Sequence, residues 1–208
     1  MKEIIKKIYK KILPGYEEEL LKELIGLNSV LDFGCGKNSP LRLLKNAYKV
    51  GVDVFEKDIL ESKKKNIHDK YYLANVLDAD KLFKSKSFDC VVALDLIEHL
   101  TKKDGVRLIK KMEKISRKKV IIFTPNIFYS QEDSKNQHQE HKSVWNVKEF
   151  EALGYKVKGI NGLKNLRKEQ SKIKFKPHYL WLVISDITQM FVKEKPELAH
   201  QLLCTQSF

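Results

Sequence analysis

Short apolar runs that alternate with helix-like segments are the feature of this sequence that most restricts its fold. The runs have the length and composition of buried strands, and they read SVLDF, AYKVGVDV, KYYLANV, SFDCVVALDL and KKVIIFTP. The intervening segments suit helices and span residues 40–46, 56–66, 78–83 and 102–117. Strands and helices in alternation imply right-handed crossovers and a parallel sheet that is covered on both faces.

The chain before and after this alternating region predicts further elements. Its 208 residues, 42% of them hydrophobic, are enough for one well-buried core, so we expect a single domain. Two N-terminal helices are expected over residues 1–27, a core over 28–160, and an inserted helix with a closing strand over 161–208. The first of these helices would place four isoleucines on one side, namely Ile4, Ile5, Ile8 and Ile12.

The sequence changes character after the fifth apolar run. Residues 125–146 are polar, contain several aromatic residues and are too long for an ordinary connection, so they are expected to form a functional loop or lid. VKEFEALGYKVKGI then predicts a helix and a strand, and HYLWLVISDITQMF predicts a helix whose apolar residues suit core or dimer contacts. LAHQLLCTQSF predicts a closing strand that pairs with YKVKGI.

Charge and cysteine content bear on partners and location. Forty basic residues against 27 acidic ones give a net charge of +13. The surplus is diffuse and consists mostly of lysine, so a nucleic-acid partner stays open but is not favoured. Cys35, Cys90 and Cys204 lie far apart and form no C-x-x-C pair, which is typical of the reducing cytoplasm. No apolar run approaches the ~20 residues of a transmembrane helix, and lysines interrupt the start of the chain, so no signal peptide is expected.

The stretch SVLDFGCGKNSP predicts a ligand-binding turn at the end of the first strand. Gly34 and Gly36 permit backbone conformations and close approach that side chains would prevent, and the next helix would direct free N–H groups at a ligand. A dinucleotide-binding fingerprint would need a third glycine where Ser39 stands. Asp32 favours a ligand with positive charge near the turn, and Asp53, at the end of the second strand, suits ribose hydroxyls.

Five segments together resemble, in order and spacing, the motifs of class I S-adenosylmethionine-dependent methyltransferases. They read VLDFGCG, VGVDVFE, LANVLDAD, SFDCVVALDLIEHL and KKVIIFTPN, and the resemblance extends from Ser29 to about Ile160. It is greatest to the small-molecule and glycan-associated enzymes that have a D-x-x-E-H signature. The resemblance implies an α/β fold with a Rossmann-like, doubly wound, mostly parallel seven-stranded sheet and an antiparallel last strand. It also implies S-adenosyl-L-methionine as the cofactor.

Carried over residue by residue, the resemblance implies ten cofactor-binding positions: Asp32, Gly34, Cys35, Gly36, Asp53, Val54, Asn75, Val76, Asp95 and Leu96. Asp32 would face the ammonium of the methionine part, and Asp53 would take the ribose hydroxyls. Asp95 and Leu96 would flank the sulfonium, and Cys35 would contribute its backbone. Asn75 departs from the acid that is usual near adenine, although its amide oxygen can still accept a hydrogen bond from the exocyclic amine.

Candidates for a catalytic base are the histidines near the expected acceptor side. Methyl transfer needs chiefly alignment and exclusion of water, and a base helps when the acceptor is a hydroxyl. His141 is the leading candidate and His99 the second, with a structural role for His99 as the alternative. The H-x-x-H spacing of His138 and His141 would suit a metal, but no clear third ligand is nearby in the sequence, so no metal is expected.

Three aromatic residues bracket the long loop and have two alternative roles. Phe128, Tyr129 and Trp145 would either stack on an acceptor or anchor the loop to the core, and anchoring is favoured.

The sequence thus predicts methyl transfer to an O or N nucleophile of a small molecule, a sugar or a lipid-linked glycan intermediate. RNA or protein as the acceptor is one alternative, and an inactive cofactor-binding subunit that docks a partner is another. An NAD-linked oxidoreductase is disfavoured because of Ser39 and because no hydride-transfer constellation is recognisable. The acceptor and the oligomeric state stay open.

Overall fold

A seven-stranded sheet organises the protein. The computed structural model describes residues 13–127, 140–168 and 171–208, and its strand order is β3-β2-β1-β4-β5-β7-β6. The strands are β1 (Ser29–Phe33), β2 (Tyr48–Asp53), β3 (Lys70–Leu73), β4 (Phe88–Leu94), β5 (Ser116–Pro125), β6 (Lys156–Leu163) and β7 (Ala199–Ser207). Strands β1 to β5 pair in parallel, whereas β7 is antiparallel to both β5 and β6. The predicted fold class, including the pairing of the closing strand, is confirmed.

Helices connect these strands at the predicted places. They are α1 (Tyr16–Glu23), α2 (Glu56–Lys64), α3 (Ala79–Leu82), α4 (Lys102–Ile115), α5 (Val147–Ala152) and α6 (His178–Val192). The helix expected over residues 40–46 is a single 3-10 turn, Pro40–Leu43, because Leu44 already has an extended backbone. The helix expected to reach residue 117 ends at Ile115, because β5 begins at Ser116. The helix expected to contain Ile4, Ile5, Ile8 and Ile12 lies outside the described residues.

The core has two layers, one on each face of the sheet. On one face the apolar side of α4, including Leu108 and Met112, packs with Phe150 of α5 against β4 and β5. On the other face Leu20 of α1 and Leu24, which follows this helix, pack against residues of β1, β4, β5 and β7. Every residue of β4 is buried, as expected for a central strand of a parallel sheet.

Helix α6 packs on β6 with two polar residues and one apolar residue buried, namely Ser185, Gln189 and Val192. Gln189 donates from Nε2 to the carbonyl of Gly159 (2.9 Å) and accepts from the N–H of Gly162 (3.1 Å). Large apolar residues of α6 are exposed instead, including Tyr179, Ile187 and Met190. The core alternative is therefore wrong for those three residues, and the dimer-contact alternative stays a prediction. Within the three described ranges, no helix combines the length and the apolar composition needed to cross a bilayer.

The strand order places a crevice at the carboxyl ends of β1 and β4. The chain runs outward from β1 to β2 and β3, and then returns to add β4 on the other side of β1. This reversal is the point at which open α/β sheets bind ligands. The turn after β1 and the residues after β4 therefore face each other.

Candidate active site

The turn after β1 is held against the end of β2 by backbone hydrogen bonds. The N–H groups of Gly34 and Cys35 both donate to the carbonyl of Val52, at 2.9 and 3.1 Å. Gly34 has φ +68° and Gly36 has φ +50°, both in the left-handed region where a side chain is unfavourable. A Cβ atom on Gly34 would also lie 2.8 Å from Cδ1 of Leu96. The glycine turn thus lets the backbone pass close to Leu96 at the end of β4.

Asp53, at the end of β2, is positioned by the same turn. Its Oδ2 accepts from the N–H of Gly36 (2.8 Å), and its Oδ1 accepts from the N–H of Phe55 (2.9 Å). The carboxylate is buried. Each carboxylate oxygen can accept more than one hydrogen bond, so this arrangement fixes the orientation of Asp53 and leaves it able to accept from ribose hydroxyls.

Asp32 lies buried beneath the glycine turn and is held by two side chains. Ser39 donates from Oγ to Asp32 Oδ2 at 2.6 Å, and His68 Nε2 lies 2.9 Å from the same oxygen. Ser39, which replaces the third glycine of a dinucleotide fingerprint, also caps the following 3-10 turn through the N–H of Leu41. The sequence did not predict the part played by His68, since 36 residues separate it from Asp32.

Two cavities meet above the turn. One, of about 210 Å³, is lined by Gly34, Asp53, Val54, Phe55, Asp58, Asn75, Val76, Asp95, Leu96, His99 and Leu100. The second, of about 300 Å³, is lined by Tyr16, Glu17, Gly34, Cys35, Gly36, Asn38, Ser39, Pro40, Arg42, Leu94 and Asp95. Gly34 and Asp95 border both cavities. The structure therefore brings nine of the ten predicted cofactor positions to one continuous crevice, with Asp32 directly below it.

The far end of the first cavity contains Asn75 and Val76. Asn75 Oδ1 accepts from the N–H of Leu77 (2.9 Å) and caps a 3-10 turn, which orients the side chain at the end of β3. At the other side of the crevice, burial raises the pKa of the Cys35 thiol, and the carboxylates of Asp32 and Asp53 raise it further. A thiolate is thus disfavoured, which agrees with a backbone role for Cys35.

Asp95 stands where the two cavities join. It follows β4 with φ +51°, an uncommon conformation for a residue with a side chain, and its N–H donates to the carbonyl of Phe123 at 2.9 Å. Burial raises the pKa of the Asp95 carboxyl, and a hydrogen bond from Gln201 of β7 partly offsets this effect. Acids with an uncommon backbone conformation and a shifted pKa are concentrated at functional sites.

Tyr16 of α1 is a site residue that the sequence did not predict. Its ring stacks on Phe123 with centroids 3.7 Å apart, and it lines the second cavity. Its hydroxyl is buried, and within the described part of the chain it has no hydrogen-bond partner. Burial raises the pKa of Tyr16, and nearby carboxylates, Asp95 first among them, raise it further. A neutral, unsatisfied hydroxyl in a ligand cavity is suited to donate to a bound ligand.

His99 and His141 lie beside each other in the structure, although 41 residues lie between them in the sequence. Their ring centroids are 5.0 Å apart, and burial, followed by the effect of His99, lowers the pKa of His141. The N–H groups of Lys142 and Ser143 both donate to the carbonyl of Glu98, which fixes the segment that contains His141. His138, Phe128 and Tyr129 lie outside the described residues.

Trp145 anchors the segment after His141. The indole is buried, donates from Nε1 to Ser143 Oγ at 3.0 Å and stacks on Phe150. These contacts correspond to the favoured anchoring role and leave the ring away from the ligand cavities.

Glu98 completes a polar cluster with the two histidines. Its side chain is buried and accepts from Thr124 Oγ1 at 3.0 Å. Burial raises the pKa of Glu98 well above its usual range, and the neighbouring Asp95 contributes to the same effect. One potential ligand atom from each of Glu98, His99 and His141 lies within 4.8 Å of the other two, so these residues have a geometry that can hold a cation.

Comparison with known proteins agrees with this geometry. Residues 31–124 match a family model described as a methyltransferase domain. An uncharacterized protein from Methanocaldococcus jannaschii is 25% identical over 159 residues, which cover 72% of this chain and 68% of that protein. The fold is similar to that of a SAM-dependent methyltransferase from Archaeoglobus fulgidus, with TM-score 0.60, 19% identity and coverage of 98% of this chain and 99% of the other.

A second solved structure has a similar fold. Phosphoethanolamine N-methyltransferase 2 from Haemonchus contortus aligns with TM-score 0.59 and 16% identity, covering 91% of this chain and 51% of the other. The sheet order and the glycine turn agree with a class I methyltransferase fold, in which S-adenosylmethionine is the methyl donor. Residues 31–124 form the methyltransferase domain that the family model describes.

Proposed function

We propose that the enzyme transfers the methyl group to an O or N nucleophile of a small molecule, a sugar or a lipid-linked glycan intermediate. The observation that carries this proposal is a third cavity of about 270 Å³ that adjoins the cofactor crevice at Tyr16 and Glu17. Its lining is Leu13, Pro14, Gly15, Tyr16, Glu17, Glu18, Asn161, Asp186 and Gln189. Carboxylate and amide groups of this kind are hydrogen-bond partners for hydroxyl and amino groups.

The layout of the chain supports separate cofactor and acceptor parts. We assign cofactor binding to residues 28–160, in which the ten proposed cofactor residues lie. Residues 1–27 and 161–208 flank this core, and described residues of both segments line the third cavity. The acceptor-binding surface would then be formed by the parts of the chain that lie outside the cofactor-binding core.

The chemistry proposed for this site is an in-line displacement. When bound, S-adenosylmethionine supplies an activated methyl group on a sulfonium, and the protein supplies alignment and exclusion of water. Asp53 would hold the ribose hydroxyls, and Asp32 would stabilise the ammonium through the glycine turn above it. His141, with His99 beside it, is proposed to contact the acceptor and receive its proton.

The acidic lining of the third cavity bears on the alternatives. RNA carries a phosphate backbone, and the lining described for that cavity contains Glu17, Glu18 and Asp186 but no lysine or arginine to bind phosphates. The net charge of +13 is the observation that favours an RNA acceptor. RNA-dependent methyl incorporation that falls steeply with salt would support RNA. Cofactor binding without turnover, together with a co-purifying partner, would support an inactive subunit.

The proposed location is the reducing cytoplasm, where the three buried thiols stay unpaired.

The first test is calorimetric titration with S-adenosylhomocysteine. Wild-type protein should bind it, and Asp53→Ala should bind at least about tenfold more weakly, since a hydrogen-bonded carboxylate contributes roughly 1.5–3 kcal/mol. Glu56→Ala, which removes an exposed acid from the start of α2, is the matched control and should bind as the wild type does. Folded wild-type protein that binds no S-adenosylhomocysteine would contradict the assignment of the crevice.

The second test is a search for the acceptor with radiolabelled S-adenosylmethionine. Sugars, nucleotide-linked sugars, polyprenyl-linked glycans, small amines, total RNA and unfolded protein would be offered separately. Label in a small hydroxylated or amino compound supports the proposal, whereas label exclusively in RNA or protein overturns it. With the acceptor in hand, His141→Ala should slow turnover strongly, and His178→Ala, a change at an exposed histidine of α6, should leave it unchanged.

A further inference from the structure

We propose that Glu98, His99 and His141 bind a divalent first-row transition-metal cation beside the cofactor crevice. One candidate ligand atom from each residue lies within 4.8 Å of the other two. Ligand atoms placed tetrahedrally around a cation at ~2.1 Å are about 3.4 Å apart, so rotation of the side chains can close the site. Two imidazoles and one carboxylate on one side of a cation form a recurrent donor set for such metals and leave coordination positions open.

The tautomer of His99 is already the one that a metal ligand needs. Its Nδ1 lies 3.1 Å from the carbonyl oxygen of Glu140. A carbonyl can only accept, so Nδ1 carries the hydrogen and the lone pair of the neutral ring is on Nε2. Metal-binding histidines commonly donate their other ring nitrogen to a backbone carbonyl in this way.

The carboxylate and the second histidine are also held in place. Glu98 accepts from Thr124 Oγ1 at 3.0 Å, an outer hydrogen bond of the kind that orients ligating carboxylates. The N–H groups of Lys142 and Ser143 donate to the carbonyl of Glu98 at 2.8 and 3.0 Å, so main-chain contacts hold the residues after His141 against the turn that contains Glu98. The cluster is thus built by structure around it and does not depend on a chance approach of surface side chains.

The electrostatic surroundings favour a cation. The Glu98 side chain is buried, and Asp95, three residues before it, lines the adjoining cavity. Within the described ranges, no salt bridge connects either carboxyl group to a lysine or arginine. Burial of negative charge is costly unless a positive group or a metal compensates it. A divalent cation at Glu98, His99 and His141 would supply that compensation.

The position of the site gives the cation a role in methyl transfer, and this part of the inference rests on the proposed function. His99 lines the cofactor cavity together with Asp95 and Leu96. A cation there can bind the hydroxyl oxygen of an acceptor and lower its pKa, so that the proton passes to solvent. The new O–C bond then forms as the S–C bond breaks, and the electron pair of that bond stays on sulfur. On this inference His141 is a metal ligand, and the cation replaces it in the activation of the acceptor that the proposed function assigned to His141. The acceptor class would be an alcohol or another hydroxylated compound.

Cobalt(II) is a suitable probe because its visible absorption reports coordination. Untagged protein, treated with chelator and desalted, would be titrated with Co²⁺ by absorbance and calorimetry. We expect one Co²⁺ per wild-type chain, and affinity at least about tenfold weaker in His141→Ala and in Glu98→Gln. His178→Ala is the matched control for adventitious binding by an exposed histidine and should bind as the wild type does.

Binding of S-adenosylhomocysteine to each protein separates the possible failures. If the wild type binds S-adenosylhomocysteine but no stoichiometric Co²⁺, or if His141→Ala and Glu98→Gln bind Co²⁺ as tightly as the wild type, the metal site is overturned and the proposed function stands. If Co²⁺ binds as expected and S-adenosylhomocysteine does not, the metal site stands and the cofactor assignment fails. For an identified acceptor, chelator-treated enzyme should be at least about tenfold slower and recover with Mn²⁺; full activity after chelation would overturn the role of the cation.

Discussion

His68 donates a hydrogen bond from Nε2 to Oδ2 of Asp32 at 2.9 Å, beneath the turn that borders the cavities of about 210 and 300 Å³. An ionised carboxylate only accepts, so this contact assigns the ring hydrogen to Nε2. We predict that His68→Leu lowers the free energy of unfolding by about 1–3 kcal/mol, because Asp32 then stays buried with fewer donors. Urea unfolding measures the change.

The same variant should also bind S-adenosylhomocysteine more weakly, because Asp32 supports the position of the turn. His178→Leu makes the same substitution at an exposed position and should alter neither quantity. Unchanged stability and affinity in His68→Leu would show that Ser39 alone is enough to hold Asp32.

Gly34 and Gly36 allow the cost of backbone strain to be separated from the cost of steric overlap. A Cβ on Gly36 meets no atom within 4 Å, so Gly36→Ala should cost about 1–2 kcal/mol for the left-handed backbone alone. Gly34→Ala has a similar backbone cost and also places Cβ 2.8 Å from Cδ1 of Leu96, so it should be the more destabilising change. Thermal or urea unfolding of both variants gives the comparison.

Leu96→Ala provides the double-mutant control for this prediction. The extra cost of Gly34→Ala should shrink in the Leu96→Ala background, since the nearest overlapping atom has been removed. Equal costs for Gly34→Ala in both backgrounds would contradict an overlap with Leu96.

Tyr16→Phe should have opposite effects on stability and on ligand binding. The Tyr16 hydroxyl is buried and has no hydrogen-bond partner among the described residues, so its removal should leave the unfolding free energy of the ligand-free protein equal or about 1 kcal/mol higher. If the hydroxyl donates to the bound cofactor or acceptor, affinity for S-adenosylmethionine or turnover should fall by about fivefold to tenfold.

Calorimetry with S-adenosylmethionine and unfolding of the ligand-free protein test both parts of the Tyr16 prediction. Tyr179→Phe, at an exposed tyrosine of α6, is the control for loss of a phenolic hydroxyl. A clear loss of stability in Tyr16→Phe would mean that the hydroxyl has a structural partner in the ligand-free protein.

Glu23 should make stability depend on acid pH. It accepts from Lys158 at 2.7 Å and from Lys119 at 2.9 Å, which connects the end of α1 to β6 and β5. Burial alone would raise the pKa of Glu23, but the hydrogen bonds from the two lysines outweigh it and lower the pKa. The unfolded state therefore binds a proton at Glu23 more readily than the folded state does. The contribution of Glu23 to the free energy of unfolding is lost as the pH falls below the pKa in the unfolded state, about 4.3, and through the lower pKa in the folded state.

Glu23→Gln should be about 1 kcal/mol less stable than the wild type at pH 7, and the difference should fade in acid below about pH 4. Urea unfolding at several pH values measures this. Glu61→Gln changes the same charge on α2 and should give a pH dependence parallel to that of the wild type. A deficit in Glu23→Gln that persists unchanged at low pH would contradict the assignment to the ionised carboxylate.

The sequence predicted those features that depend on local patterns. Apolar runs of strand length identified the strands of the sheet, and glycines at positions that need unusual backbone angles identified the turn after β1. Asp53 was predicted from its position at the end of the second strand, and Asp95 from the resemblance to class I methyltransferases.

Other features could not be predicted because they depend on contacts between distant parts of the chain. His68 reaches Asp32 only through the positions of β2 and β3, and Tyr16 enters the crevice because α1 packs on the opposite face of the sheet from α4. The cluster of Glu98, His99 and His141 depends on two main-chain hydrogen bonds to one carbonyl, for which no sequence pattern exists. The apolar residues of α6 have helical spacing, yet two of its three buried residues, Ser185 and Gln189, are polar.

The position of β7 between β5 and β6 has a consequence for folding during synthesis. β7 is the last strand of the sheet to leave the ribosome, and until it does β5 presents an unpaired edge and β6 lacks its neighbour. Such edges are open to pairing with other chains. Gln201, which donates to Asp95, also arrives with β7. A nascent chain therefore exposes an aggregation-prone edge until the same strand both closes the sheet and completes the surroundings of Asp95.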